Sequence, residues 1–235
     1  MITTKELAPG ITLRCCRDTR FKTGALSFQL VRPMKKEEAA MNSLLSAVLL
    51  RGTKVHPDLR AITEYLDELY GASVSTLVRR VGDYQTVGFY CGFMDDRFAL
   101  PGDRVLAPMI RFLEELLLDC PVEDGGFLSA FVESEKKNLI ATMESELNDK
   151  RAYAMGQLLR NMCKADSFGI PRLGDKEAVA AITPEEIPLS SFSILFARYK
   201  GDLQTLVQGA VTLKSLKDGD KVKVSLRFRG RERDY

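Results

Sequence analysis

The hydrophobic period of this chain switches between two and about 3.6 residues, and that alternation most limits what it can fold into. Ile11, Leu13 and Cys15 alternate with polar residues, and Leu26, Phe28 and Leu30 do so again after the Thr23-Gly24 break. A period of two puts every second side chain on one face, so the first 33 residues read as strands. Over 37–50 the spacing lengthens. Ala40, Leu44 and Ala47 fall on one face with Met41, Leu45 and Val48 beside it, which predicts a helix stopped by Gly52. His56-Pro57-Asp58 opens a second helix, with Leu59, Ile62, Leu66 and Leu69 as its stripe and Gly71 as its stop.

Strand spacing returns at Val74, Thr76 and Val78, and again at Val87, Phe89, Cys91 and Phe93, with Gly82-Asp83 between them as a hairpin signal. A helix is predicted over 103–119, burying Val105, Met109, Phe112 and Leu116, with Pro108 confined to its early turns or a kink. Helices over 127–147 and 150–163, a loop over 168–174 and a short helix over 176–181 follow. Strand pairs interrupted by helical blocks define an α+β layer, a mostly antiparallel sheet covered by helices. Residues 1–187 read as one domain, and 188–235 as a C-terminal extension that matches it poorly. In that extension 192–199 and 203–213 are apolar enough to order. Val222, Val224, Leu226 and Phe228 alternate there with basic or polar residues. A cationic strand of this kind guards an exposed sheet edge or, alternatively, offers a patch to nucleic acid or an acidic partner, although only Phe228 and Tyr235 could stack there.

Composition excludes several classes. With 45% hydrophobic and 28% charged residues the chain is not of the disordered type. A net charge of +2 supplies no field toward nucleic acid or an anionic membrane. No apolar run approaches the ~20 residues that span a bilayer, and the first 20 residues show no apolar leader, so a cytoplasmic location is expected. Histidine occurs once, at His56, which rules out a zinc site built on two or three histidines of this chain. Its place beside Pro57 assigns it a turn or capping role. The five cysteines have no C-x-x-C spacing and read as reduced, mostly buried thiols without a base to activate them. Glu133, Glu135, Glu144 and Glu146 read as solvated helix charge rather than metal ligands. Gly52-Thr53 reads as a helix stop rather than a phosphate cradle.

Several segments, in order, resemble one family. Ser43-Leu44-Leu45-Ser46-Ala47, followed by an apolar run and Gly52-Thr53, is similar to the inverzincin helix of the M16 (pitrilysin, insulinase and processing-peptidase) family. There the pattern is H-x-x-E-H before an apolar run and Gly-Thr. Leu69-Tyr70-Gly71-Ala72, Ser134-Glu135-Lys136-Lys137, the loop 168–174 and Ala181-Ile182-Thr183-Pro184-Glu185-Glu186 fall where that family places its counterparts. Arg51-Gly52-Thr53-Lys54, Gly82-Asp83-Tyr84-Gln85-Thr86 and Asn148-Asp149-Lys150-Arg151 further resemble a bacterial subgroup associated with 5-aminopentanol modification of elongation factor P.

The resemblance implies a LuxS/MPP-like fold and marks where zinc chemistry would sit. The first histidine ligand corresponds to Ser43, the general-base glutamate to Ser46 and the second histidine to Ala47. The third ligand, a glutamate on a later helix, corresponds to Ala141 or Thr142. Positions 43, 46 and 47 still share a helix face. Neither a neutral hydroxyl nor a methyl replaces imidazole, so no zinc and no other cofactor is expected. Spacing alone suggests that restoring His, Glu, His and Glu at 43, 46, 47 and 141 would recreate the ligand set.

Three readings follow from the resemblance. One is a non-catalytic subunit that pairs with an active M16 peptidase, as a homo- or hetero-oligomer, and helps enclose a peptide. Another is a binding module that keeps only the fold, linked to translation-factor modification. The last is an active zinc metalloendopeptidase with unrecognised ligands.

Overall fold

The computed structural model describes residues 2–8, 11–16, 18, 20–123, 126–184 and 187, and the backbone of 225–226. The chain runs β1 (Ile2–Ala8), β2 (Ile11–Cys16), β3 (Thr23–Pro33), α1 (Lys36–Leu49), α2 (Leu59–Glu68), β4 (Ser73–Val81) and β5 (Tyr84–Met94). It continues through α3 (Leu106–Leu118), β6 (Val122–Glu123), β7 (Gly126–Phe127), α4 (Ser129–Ser145), α5 (Lys150–Met162), α6 (Lys176–Ala181) and β8 (Ser225–Leu226). The main sheet has the order β4-β5-β3-β8, while β1-β2 and β6-β7 form separate antiparallel pairs.

β3 and β5 pair antiparallel along their full length, which sets Leu26 opposite Cys91, Phe28 opposite Phe89 and Leu30 opposite Val87. All six side chains lie on one face and are buried. Against that face Leu44, Leu45 and Val48 of α1 and Met109, Phe112 and Leu116 of α3 complete the core. The alternation of periods thus builds one sheet with its inner face covered by helices, as expected.

The boundaries depart from the spacing where a polar group decides them. α3 begins at Leu106 rather than 103, because Asp96 Oδ1 accepts from the backbone N–H groups of Val105 (2.7 Å) and Leu106 (3.0 Å) and so fixes the first turn. Pro108 falls within that first turn, where it removes no helical hydrogen bond. Phe127 belongs to β7, not to the helix predicted from 127. It pairs with Val122 across a two-residue strand, and Leu128 has a non-helical ψ of 120°. At 146–148 the following helix tightens into a 3-10 turn, after which Asp149 accepts from Arg151 and Ala152 N–H to start α5. Asp58 caps α2 in the same way, accepting from Ala61 N at 2.8 Å.

Gly52 is not the stop of α1, which ends at Leu49. A Cβ at this position would lie 2.6 Å from the Pro57 carbonyl oxygen. The glycine lets the chain fold back tightly, and Thr53 closes the turn: Thr53 N–H donates to His56 O at 2.7 Å while Thr53 Oγ1 accepts from His56 N–H at 2.8 Å.

Of the 222–228 strand only Ser225–Leu226 falls among the described residues, and it pairs parallel with Ser27 and Phe28 on the edge of β3. The expectations for 192–199 and 203–213 lie outside the described residues. No described helix is long and apolar enough to cross a membrane.

Of the thiols, Cys91 and Cys120 are buried and Cys15, Cys16 and Cys163 are half-buried, fewer in the interior than expected. Burial pushes the Cys91 and Cys120 thiols up to about 12. Both therefore stay protonated at pH 8, where only a thiolate attacks an alkylating reagent. Timed iodoacetamide labelling read by peptide mass should modify Cys16 and Cys163 at least ~10-fold faster than Cys91 and Cys120. Equal rates would contradict the burial.

Candidate functional site

α1 carries the motif positions and holds them inside the protein. Ser43 and Ser46 are each only 2% exposed, and Ala47 is half-buried. Ser43 Oγ donates to Ala39 O at 2.8 Å, one helical turn back, and Ser46 Oγ donates to Ser43 O at 3.1 Å. Such back-bonding satisfies a hydroxyl where water is absent.

Opposite Ser43 stands Gln85 of β5, 1% exposed. Its Nε2 donates to Arg172 O (2.8 Å), Ala39 O (3.0 Å) and Ser43 Oγ (3.3 Å), and its Oε1 accepts from Asn42 Nδ2 at 2.9 Å. One amide side chain thus ties the second strand of the hairpin to α1 and to the loop after α5. A buried amide is favourable only when its groups are paired, and here both ends are.

The loop over 167–174 is fastened at further points. Arg80 of β4 donates through Nη1 to Phe168 O (2.6 Å) and Ile170 O (2.9 Å), with its guanidinium 5.0 Å above the Phe168 ring. Ser167 Oγ donates to Asp83 at 2.6 Å, and the Arg172 side chain pairs with Glu146 at 3.0 Å. Gly174 has φ +82°, and a Cβ there would lie 2.5 Å from Ala40 N. Its lack of a side chain lets the loop rest on α1.

The third mapped position is on the outside. Ala141 and Thr142 of α4 are both exposed, and Thr142 Oγ1 donates to Asn138 O at 2.9 Å. The glutamates along this helix and the 3-10 turn after it each meet a base. Glu133 pairs with Lys136 at 3.0 Å, Glu135 with Arg51 at 3.4 Å, Glu146 with Arg172, and Glu144 with Lys176 in a short contact. Glu144 holds the Lys176 ammonium above its usual range, through that hydrogen bond first and charge second. No group of three or more His, Cys, Asp or Glu side chains among the described residues converges as a metal site would.

His56 does serve a turn, but through its backbone. Its ring is not a cap: Nδ1 donates to Glu115 Oε2 at 3.0 Å, and the ring packs 4.5 Å from Tyr65 and 5.6 Å from Phe112 between centroids. The histidine is thus a component of the α2–α3 core contact, away from the motif positions.

The donor set does not fit zinc. Two neutral hydroxyls donate to carbonyl oxygens, one methyl offers nothing, and the fourth position is an exposed Ala or Thr. The arrangement binds elements together instead. Sequence reasoning missed Gln85, Asn42, Arg80 and Arg172 as the groups that do this. One signal was present for Gln85, since it shares strand parity with Val87, Phe89 and Cys91 and is therefore a polar residue on an apolar face. Gln85→Leu keeps the volume but removes the partner of Asn42 Nδ2 and leaves Arg172 O only a long 3.4 Å contact to Ser43 Oγ. We expect a loss of about 2 kcal/mol by urea denaturation, and an unchanged midpoint would deny the network its stabilising role.

No family model matches the chain. Among solved structures, a conserved protein from Enterococcus faecalis V583 superposes with a TM-score of 0.72 at 24% identity, over 98% of this chain and 49% of that one. A peptidase M16 inactive domain from Pseudomonas fluorescens gives 0.56 at 14% identity, over 81% and 42%. These likenesses establish an M16-like peptidase fold. Among named proteins it is 32% identical over 178 residues to the probable inactive metalloprotease YmfF of Bacillus subtilis (strain 168), covering 76% of this chain. It spans 42% of that protein's length.

Proposed function

We propose that the chain is a non-catalytic M16-type subunit that pairs with a catalytically complete zinc peptidase homologue and helps enclose a peptide in the cytoplasm. The observation that carries this is the buried network at Ser43, where a metal ligand would have to stand. A side chain that donates to Ala39 O and accepts from Gln85 has become part of the framework. A fold kept without its chemistry is best explained by what it holds and what it joins. The resemblance to a probable inactive metalloprotease supports the same reading.

Two measurements test it. The dialysed protein should contain no stoichiometric zinc by elemental analysis, because neither hydroxyl nor methyl replaces a ligand. One zinc per chain would end the proposal. Affinity purification under native conditions should then recover an M16 homologue with its ligand residues intact, and the pair should cleave peptides that this chain alone leaves untouched. Recovery of this chain free of any such homologue would count against pairing.

A further inference from the structure

α5 is a helix of 13 residues, and none of them is buried. Its apolar side chains are nevertheless in register. Met155, Leu158 and Met162 are spaced i, i+3 and i+7 and so share one face. They are 55%, 49% and 72% exposed. Scattered exposed apolar residues are ordinary, but three on one face of a helix with no buried residue form a stripe.

The charge around the stripe narrows what can cover it. Lys150, Arg151 and Lys164 are exposed and have no carboxylate partner among the described residues, whereas Arg160 pairs with Asp175 at 3.7 Å. The two acids at the helix ends, Asp149 and Asp166, accept from backbone N–H groups. Residues 149–166 hold four basic and two acidic side chains, so the surface is apolar with a cationic rim.

Two covers that lie nearest to hand carry the wrong sign. Residues 188–235 of this chain hold ten basic and five acidic side chains. A second copy placed face to face would oppose the same cations. Like charges brought together at an interface cost several kcal/mol, while opposite ones steer and register the partner.

We propose that the α5 face, centred on Met155, Leu158 and Met162, is a docking surface for a separate protein segment that is apolar and flanked by carboxylates. Lys150, Arg151 and Lys164 select it. Such a segment is an amphipathic helix whose stripe lies along α5, with Asp or Glu on either side. This surface is independent of whether the partner is a peptidase homologue, so it can fail while the pairing proposal stands.

The test uses the full chain and two synthetic fluorescent peptides of one Leu/Met stripe, one flanked by Glu and the other by Lys. Anisotropy titration at low salt should show saturable binding of the Glu-flanked peptide, at least ~10-fold tighter than the Lys-flanked one. Leu158→Asp should weaken it at least ~10-fold, and Lys150→Glu with Arg151→Glu should reverse the preference. These side chains are exposed, so the thermal midpoints of the variants should match that of the parent. Equal affinity for both peptides, no saturable binding, or binding unchanged by Leu158→Asp would overturn the proposal. So would a concentration-dependent dimer in light scattering that Leu158→Asp abolishes, because the occupant would then be a second copy.

Discussion

Installing Ser43→His, Ser46→Glu, Ala47→His and Ala141→Glu together will unfold this domain rather than give it a zinc site. Helical spacing favours the change, since 43, 46 and 47 share a face. Burial decides against it. Ser43 lies against Gln85 with 2% of its surface exposed, so an imidazole there collides with an amide that already holds three carbonyl or hydroxyl partners. A carboxylate at position 46 would be sealed in, since Ser46 is only 2% exposed, and Glu at 141 would stand on an exposed surface. Each buried mismatch costs on the order of 3 kcal/mol, and the two together approach the whole stability of an ordinary domain, ~5–15 kcal/mol. Thermal melting should show no cooperative transition above room temperature. Adding Gln85→Ala to make room should recover part of the folded population. A quadruple variant that melts within a few degrees of the parent and titrates with one zinc would refute this account.

Gly174→Ala should be the most damaging single change to a glycine of the site. The residue sits at φ +82°, and the new Cβ would lie 2.5 Å from Ala40 N and 2.6 Å from Ala40 Cα and Cβ. Those atoms belong to the middle of the first turns of α1 and cannot retreat without shifting the helix. A left-handed backbone at a non-glycine residue costs ~1–3 kcal/mol, and overpacking costs ~1–3 kcal/mol more. Together they amount to about 4 kcal/mol, or roughly 10 °C in Tm for a domain of this size. A drop of less than about 3 °C would mean that the loop over 167–174 does not rest on α1 as described.

Much of this fold could be read from hydrophobic period alone, and the exceptions share a cause. The strands at Leu26–Phe28–Leu30 and Val87–Phe89–Cys91 and the helix around Leu44 and Val48 are apolar and regular, so burial of one face fixes them. The errors fall where a single polar or backbone contact overrides the pattern. Asp96 moves the start of α3, and the Pro57 carbonyl explains Gly52 better than a helix stop does. Phe127 is apolar in either structure, so its period could not separate a two-residue strand from a helix. At the site, the resemblance located Ser43 and Ser46 on α1, but what faces them comes from 42 residues and 129 residues further along the chain. Period reports neighbours one turn or one pleat away. It is blind to a glutamine that meets a serine across the sheet, except through the oddity of Gln85 in an apolar row.

The amide of Gln85 also bears on the direction in which such a domain can change over time. Any lineage regaining metal chemistry would have to pass through intermediates. Ser43→His with Gln85 still present is crowded, and Gln85 lost with Ser43 still present removes the partner of Asn42 Nδ2 and leaves Arg172 O only a long 3.4 Å contact to Ser43 Oγ. Each first step lowers stability and yields no ligand set, because at least two of the three ligand positions remain unfilled. The polar lock at Gln85 therefore behaves as a ratchet against a ligand set at these positions. Once a polar lock fills the space that a metal ligand would need, selection for folding alone is enough to keep the domain out of catalysis.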